Sequence, residues 1–173
     1  MAHVRRAISA DIVFLAPKMR QADRDEIKAS DNVGAVEALM TPFEYKGHRT
    51  WSVIGTDEEY VIGMFGSVPT LDPDYGIAWL LSSEELFNYK KEFIKQSPEW
   101  IEEMGKGYKY LYNWVDCRNE KSIKWLRYLG FNTIKREEQY GKGKMPFYLM
   151  MKEIKHVWRS WSLCSFANNE LDK

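Results

Sequence analysis

The spacing of apolar residues switches several times between strand-like and helix-like along this chain, and the order of these switches constrains the fold most. Short alternating or dense apolar runs predict strands, whereas apolar residues three and four positions apart predict helices. The predicted strands are residues 4–9, 51–54, 60–68, 77–81, 110–115, 131–139 and 145–151. Helices are predicted at residues 12–27, 33–40, 84–108 and 119–129. Antiparallel hairpins combined with a β–α–β unit predict an α/β (α+β) fold, with a mixed, mostly antiparallel twisted sheet and helices on both faces.

Capping signals divide the helical regions. Ser97, Pro98 and Glu99 predict a new helix N-terminus, because they offer a capping hydroxyl, a proline and an acid at first-turn positions. Asn119 is predicted to cap the following helix, and Gly130 is predicted to end it.

Glycines and charges refine this outline. Gly63 and Gly66 lie inside a predicted strand, which indicates a β-bulge or a close approach of another backbone. Residues 141–143, Gly-Lys-Gly, predict a hairpin turn. The charged run at residues 23–26 is predicted to occupy the solvent-exposed side of its helix.

The chain length of 173 residues suits one domain, which we place at residues 1–154. Residues 155–173 form a predicted aromatic C-terminal tail. Lys+Arg and Asp+Glu both number 25, so the formal net charge is zero. We therefore expect no nucleic-acid partner, because non-specific affinity for nucleic acid comes from neutralising phosphates.

Cysteine usage and hydropathy indicate a reducing compartment. Cys117 and Cys164 cannot build a disulfide framework, and no Cys/His spacing resembles a metal site. We expect no signal peptide and no membrane span, because no apolar run approaches the required length. These features predict a cytoplasmic protein without a metal.

A local match then suggests a family. Residues 113–119 read Asn-Trp-Val-Asp-Cys-Arg-Asn, and a helix follows that ends at Gly130-Phe131. With the predicted element order, this block resembles the penultimate strand and helix of the GNAT acetyltransferases. Residues 16–27 and 79–81 also resemble a narrower group, the acetyltransferase-like proteins of short-tailed bacteriophages, related to a phage internal virion or morphogenesis protein. The resemblance covers most of residues 1–152.

The resemblance implies a site for acetyl-CoA, from which this sequence departs. Active members have a basic, glycine-rich turn after the central strand, whose N–H groups hold the pyrophosphate. The matching residues 81–86, Leu-Ser-Ser-Glu-Glu-Leu, contain two acids and no glycine, arginine or lysine. The family's frequent catalytic tyrosine corresponds to Leu126, and Tyr128 lies two residues later. Both departures argue against catalysis.

If acetyl-CoA binds, the resemblance implies which residues would hold it. The candidates are the central strand and the following helix: Leu80, Leu81, Ser82, Asn119, Ser122 and Trp125. Asn119 would bond the pantetheine arm, although a plain helix cap is the commoner role of such a residue. Trp125 would line an acyl or peptide pocket, with core packing as the alternative, and Trp79 is expected in the core.

Catalytic candidates are few. Asp116 or Glu58 would act as the general base, which requires a desolvated carboxylate. Asp116 next to Arg118 is more often a solvated ion pair. Cys117 has no nearby histidine in sequence and is expected to be an inert thiol.

Two functions follow from these observations. The first is a non-catalytic GNAT-fold phage protein that acts through a phage or host protein partner, located in the cytoplasm of the infected host cell or in the virion. The second is an active N-acetyltransferase that moves an acetyl group from acetyl-CoA to an amine. Trp158, Trp161 and Phe166 in the tail are candidate partner-binding residues, because exposed tryptophans make strong contacts. Packing of the tail on its own domain is the alternative.

Overall fold

The computed structural model describes residues 2–55 and 60–155. These residues form one seven-stranded sheet. The strands are β1 (His3–Arg6), β2 (Arg49–Ile54), β3 (Val61–Pro69), β4 (Tyr75–Ser82), β5 (Tyr110–Asp116), β6 (Asn132–Tyr140) and β7 (Met145–Glu153). The helices are α1 (Asp11–Leu15), α2 (Gln21–Ser30), α3 (Ala35–Glu44), α4 (Lys90–Gly105) and α5 (Glu120–Tyr128). Short 3₁₀ turns at Ala16–Lys18 and Glu84–Tyr89 precede α2 and α4.

The strand order is β1-β2-β3-β4-β5-β7-β6, and neighbouring strands are antiparallel except for β4 and β5. β4 and β5 pair in parallel only where Tyr75–Ile77 meet Tyr110–Tyr112. β4 stays paired with β3 as far as Ser82, and β5 stays paired with β7 as far as Asp116. The two central strands therefore diverge towards their C-terminal ends, and the sheet opens like a V between them.

Helices cover both faces of the sheet, as predicted, and this confirms the fold class. Successive residues of a strand point to opposite faces, so Val53 and Ile54 of β2 enter different cores. The first core lies under α4 and α5 and includes Phe65, Ile101 and Leu126. The second lies under α1, α2 and α3. Within the described residues, no helix is long and apolar enough to cross a membrane.

The prediction of a new helix start at Ser97 is wrong. α4 runs without interruption from Lys90 to Gly105 and contains Pro98 in its interior. Ser97 is buried, and its hydroxyl donates to the carbonyl oxygen of Phe93 at 2.6 Å instead of capping a helix. The apolar stripe that α4 buries continues through the proline, and this packing outweighs the local breaking signal.

The turn and glycine predictions are confirmed. Gly130 has a φ of +84° at the end of α5, and residues 141–144 form the β6–β7 turn. At Gly66, an added Cβ would lie 2.0 Å from the carbonyl oxygen of Arg49 in β2, which requires glycine there. The β2–β3 register shifts beside Gly63, which is the predicted bulge.

Candidate functional site

The divergence of β4 and β5 leaves a cavity on each face of the sheet. On the α2–α3 face, the cavity has a volume of about 590 Å³. We call it the aromatic cleft, after the rings that line it: Tyr45, Trp79, Tyr112, Trp114 and Tyr140. On the α4–α5 face, the cavity is only about 20 Å³. We call it the closed groove, and its lining includes Leu80, Met104, Ser122, Trp125 and Leu126.

Two acids of α2 connect the diverging strands. Asp23 Oδ2 accepts a hydrogen bond from the backbone N–H of Ser82 in β4 at 3.0 Å. Glu26 Oε2 accepts one from the backbone N–H of Asp116 in β5, also at 3.0 Å. Residues three apart on a helix lie on one face, so a single turn of α2 satisfies both strand ends.

Asn119 joins these two acids. Its Nδ2 donates to Glu26 Oε2 at 3.0 Å and lies 3.5 Å from Asp23 Oδ1. Asn119 begins α5, but its side chain makes no capping hydrogen bond, so the predicted side-chain cap is wrong. We call Asp23, Glu26 and Asn119 the carboxylate bridge.

The charge of Asp23 is balanced by a buried arginine. Arg20 is 4% exposed and Asp23 1% exposed, and the Arg20 guanidinium donates to both oxygens of Asp23. Arg20 Nη2 also donates to Ser122 Oγ at 3.2 Å. The prediction that residues 23–26 lie on the exposed side of α2 is therefore wrong for Asp23, because a buried partner compensates its desolvation.

Glu26 has no such partner. Burial raises the pKa of Glu26 to about 8, and the charges of Asp23 and Asp116 add to the effect, although hydrogen bonds from Asn119 and from the Asp116 amide oppose it. Glu26 lines both the aromatic cleft and the closed groove. It is the one strongly perturbed carboxyl described between β4 and β5, and the sequence offered no sign of it.

Asp116, the predicted general base, is buried and held by Arg118. Its two carboxylate oxygens accept from Arg118 Nε at 3.0 and 3.1 Å, and Oδ2 also accepts from Nη2 at 2.6 Å. The backbone N–H of Arg118 donates to Oδ1 at 2.8 Å. Arg118 is about half exposed, so the pair is solvated at the Arg118 end only, and the Asp116 carboxylate faces Arg118 instead of solvent.

The turn after β4 bonds to the protein itself. The N–H of Ser82 donates to Asp23, and the N–H of Ser83 donates to the carbonyl oxygen of Ile62 at 2.9 Å. Ser82 also accepts a hydrogen bond from the backbone N–H of Arg20 at 2.8 Å. The following acids form surface ion pairs, Glu84 with Lys121 at 3.3 Å and Glu85 with Lys18 at 3.9 Å.

Trp125 fills the closed groove. Its ring stacks on Phe93 of α4 with centroids 5.7 Å apart, and its Nε1 donates to Ser97 Oγ at 3.3 Å. These contacts tie α5 to α4 beside the groove that Leu80 and Ser122 also line. A volume of about 20 Å³ is close to the space of one water molecule.

Comparison with solved structures identifies the fold. The chain matches the GCN5-related N-acetyltransferase from Kribbella flavida with a TM-score of 0.65, at 17% identity over 88% of this chain and 98% of that one. The ribosomal-protein-S5-alanine acetyltransferase from Vibrio fischeri matches with a TM-score of 0.62, at 18% identity over 88% of this chain and 92% of that one. A GNAT-family acetyltransferase from Bacillus anthracis matches with a TM-score of 0.64, at 11% identity over 88% of this chain and 94% of that one. The chain has the GNAT fold. No protein-family model and no curated protein matches the sequence.

Within the GNAT fold, the predicted cofactor residues fall into two groups. Leu80, Ser122 and Trp125 line the closed groove. Ser82 and Asn119 belong to the hydrogen-bond network around the carboxylate bridge, and Leu81 is buried under the α2–α3 side. The structure therefore brings the predicted residues together around the β4–β5 opening.

The remaining candidates differ in position. At the family's tyrosine position, Leu126 is buried, whereas Tyr128 is 61% exposed. Burial raises the pKa of Cys117, which disfavours a reactive thiolate and agrees with an inert role. Glu58, Trp158, Trp161 and Phe166 lie outside the described residues. Among the residues that are described, no cluster of three or more potential metal ligands occurs.

Proposed function

We propose that this chain is an acetyltransferase-fold phage protein with a degenerate acetyl-CoA site, acting by protein–protein contacts in virion morphogenesis or on a host target. The observation that carries the proposal is the use of the backbone amides after β4. In active GNAT enzymes, such amides hold the pyrophosphate. Here Asp23 and Ile62 already accept from the N–H groups of Ser82 and Ser83. The residues present do not fit a diphosphate.

The local charge supports the same conclusion. Asp23 places a carboxylate on the first of these amides, and Glu84 and Glu85 follow it directly. A diphosphate would approach Glu84 and Glu85 in a turn without arginine or lysine, and the Asp23 carboxylate, whose charge Arg20 balances, already occupies the first amide. The nearest ion-pairing lysines, Lys18 and Lys121, already face Glu85 and Glu84. Like charges at short distance repel even at surface dielectric values.

The shape of the opening between β4 and β5 also supports a degenerate acetyl-CoA site. Leu80, Ser122 and Trp125 are the residues that would hold the rest of the cofactor, and the groove between them is about 20 Å³. Entry of a pantetheine-sized chain would require Trp125 to leave Phe93 and Ser97. The alternative function, acetyl transfer to an amine, would also need a free base, and Asp116 is held by Arg118.

Calorimetric titration of the full chain with acetyl-CoA tests this proposal. We expect no heat of binding up to millimolar ligand, while a GNAT enzyme of known acetyl-CoA affinity gives a normal isotherm in the same buffer. Binding with a micromolar dissociation constant would overturn the degenerate-site proposal and favour the N-acetyltransferase.

Replacing three aromatic residues tests the protein-contact part. The full chain is immobilised and exposed to extracts of infected and uninfected host cells, beside the variant with Trp158→Ala, Trp161→Ala and Phe166→Ala. We expect the variant to lose partner capture and keep the melting temperature of the parent. Tyr128→Ala, at an exposed aromatic outside the tail, is the matched control. Undiminished capture by the triple variant would reject the tail as the contact site.

A further inference from the structure

The aromatic cleft has the size and lining of a ligand site. Its volume of about 590 Å³ lies within the range of small-molecule pockets, roughly 300–1,000 Å³. Aromatic rings reach it from several separate elements, since Tyr45 follows α3, Trp79 lies on β4, Tyr112 and Trp114 lie on β5, and Tyr140 ends β6.

Three of the tyrosines and one aspartate lie close to one another. Burial raises the pKa of Tyr112, and nearby Tyr45 adds to the effect. Burial also raises the pKa of Tyr140 to about 12, with contributions from Asp31 and Tyr112. The phenols of Tyr112 and Tyr140 therefore stay neutral at physiological pH, and their rings present electron-rich faces without added charge.

The aromatic faces, and not the net charge, favour a cation in the cleft. Asp31 and Lys142 bring one charge of each sign to its lining, and Glu26, whose pKa is about 8, adds a carboxyl that is mostly neutral at pH 7. The Trp114 ring already attracts a cation from outside the cleft, since Lys135 Nζ, which is not in the lining, lies 5.4 Å from its centroid. Aromatic faces attract cations through their quadrupole, and the attraction is larger when the site is partly desolvated.

The carboxyl oxygens that line the cleft already accept hydrogen bonds. This limits which kind of cation the cleft can bind. Glu26 Oε2 already accepts two hydrogen bonds, and Asp31 Oδ2 accepts one from Ser30 Oγ at 2.7 Å. A primary ammonium brings three N–H donors that need acceptors when they leave water. An ammonium without N–H donors needs only the ring faces.

We propose that the aromatic cleft binds an alkylated ammonium group, carried by a methylated lysine of a partner protein or by a small free quaternary amine. This inference rests on the proposed function, because it supplies a recognition site for a chain that acts by binding. A quaternary nitrogen has no lone pair to attack an acyl group, so this ligand is compatible with a site that performs no acyl transfer.

Titration of the full chain with defined probes tests the proposal. The probes are choline, its uncharged isostere 3,3-dimethylbutan-1-ol, the amide of Nα-acetyl-trimethyllysine, and the amide of Nα-acetyl-lysine. Binding is measured by NMR through the indole N–H signals of Trp79 and Trp114. We expect the quaternary probes to bind at least about tenfold more tightly than the isostere and unmethylated lysine.

Three variants locate the site. Tyr112→Leu, or Tyr45→Leu at a 42% exposed ring, should weaken choline binding about tenfold each. Lys142→Gln removes the opposing charge and should tighten binding about threefold at low salt. Tyr128→Leu, on α5 and outside the cleft, should leave binding unchanged. Circular dichroism confirms that each variant is folded.

The two sources of the ammonium give different results. Tighter binding of the trimethyllysine amide than of choline supports a methylated protein partner, whereas equal binding supports a small free amine. Equal binding of unmethylated lysine, or no shift with any probe at about 10 mM, overturns the proposal. Neither failure bears on the degenerate cofactor site, which the acetyl-CoA titration tests separately.

Discussion

Replacing Glu26 by glutamine should stabilise the protein, and the gain should grow with pH. Glutamine has nearly the same shape, and its carbonyl oxygen can accept both hydrogen bonds that Glu26 Oε2 receives, from Asn119 and from the amide of Asp116. The variant lacks the ionisable group, so any difference that depends on pH reports on the buried carboxyl.

The direction of this pH dependence follows from the number of protons that the folded and unfolded states bind. The pKa of Glu26 rises from 4.5 to about 8 on folding. Below pH 4.5 the carboxyl is neutral in both states and contributes no difference. Between pH 4.5 and 8 the folded state holds a proton that the unfolded state has lost, so the stability of the parent falls as pH rises. Each unit of pKa difference between the folded and unfolded states corresponds to about 1.36 kcal/mol. The free energy of unfolding of the parent is therefore lower by roughly 3 kcal/mol at pH 7 and by roughly 5 kcal/mol above pH 8.

Urea unfolding at pH 5, 7 and 9, followed by tryptophan fluorescence, measures this. Glu26→Gln should exceed the parent by less than about 1 kcal/mol at pH 5 and by several kcal/mol at pH 9. Glu99→Gln, at an exposed acid of α4, removes the same charge from the opposite face and should show little pH-dependent difference. A stability gain that is equal at pH 5 and pH 9, or a loss at every pH, would refute the reasoning.

Two further predictions concern packing and charge in the sheet and in α2. Gly66→Ala should cost about 3 kcal/mol or more, because its Cβ would overlap a carbonyl of β2, whereas Gly34→Ala, with nothing within 4 Å of its Cβ, should stay within about 0.5 kcal/mol. Arg20→Met should cost about 3–5 kcal/mol, because the charge of buried Asp23 loses its partner, while Lys28→Met at an exposed position of α2 should be nearly neutral. Chemical denaturation with matched baselines checks each pair, and similar losses within either pair would contradict the corresponding argument.

The element order could be predicted because its signals are local. The spacing of apolar residues distinguished the seven strands from the helices. Gly130 marked the end of a helix, where its positive φ favours glycine. The adjacency of β4 and β5 followed from the β–α–β unit between them. Predicted ligand residues such as Ser82 and Asn119 lie at this opening because Ser82 ends β4 and Asn119 follows β5.

The carboxylate bridge could not be predicted, since its bonds span the whole chain. Local periodicity in the sequence assigns Asp23 and Glu26 to the solvent-exposed face of an amphipathic helix. Their partners, Ser82, Asp116 and Asn119, are 59 to 96 residues away. The same limit applies to Ser97 and its proline, where tertiary packing overrode a strong local signal.

The divergence of β4 and β5 explains why Asp23 and Glu26 face the inside of the protein. Where two parallel strands part, their facing backbone groups lose each other and must find new partners, because an unpaired buried N–H costs about 1–3 kcal/mol. A bound ligand can supply acceptors, or the chain can supply them itself. Here α2 supplies two carboxylates, at the expense of a raised pKa at Glu26 and a buried arginine beside Asp23. A protein that satisfies these amides with its own side chains has less need of a ligand at them, which agrees with the proposed function through protein contacts.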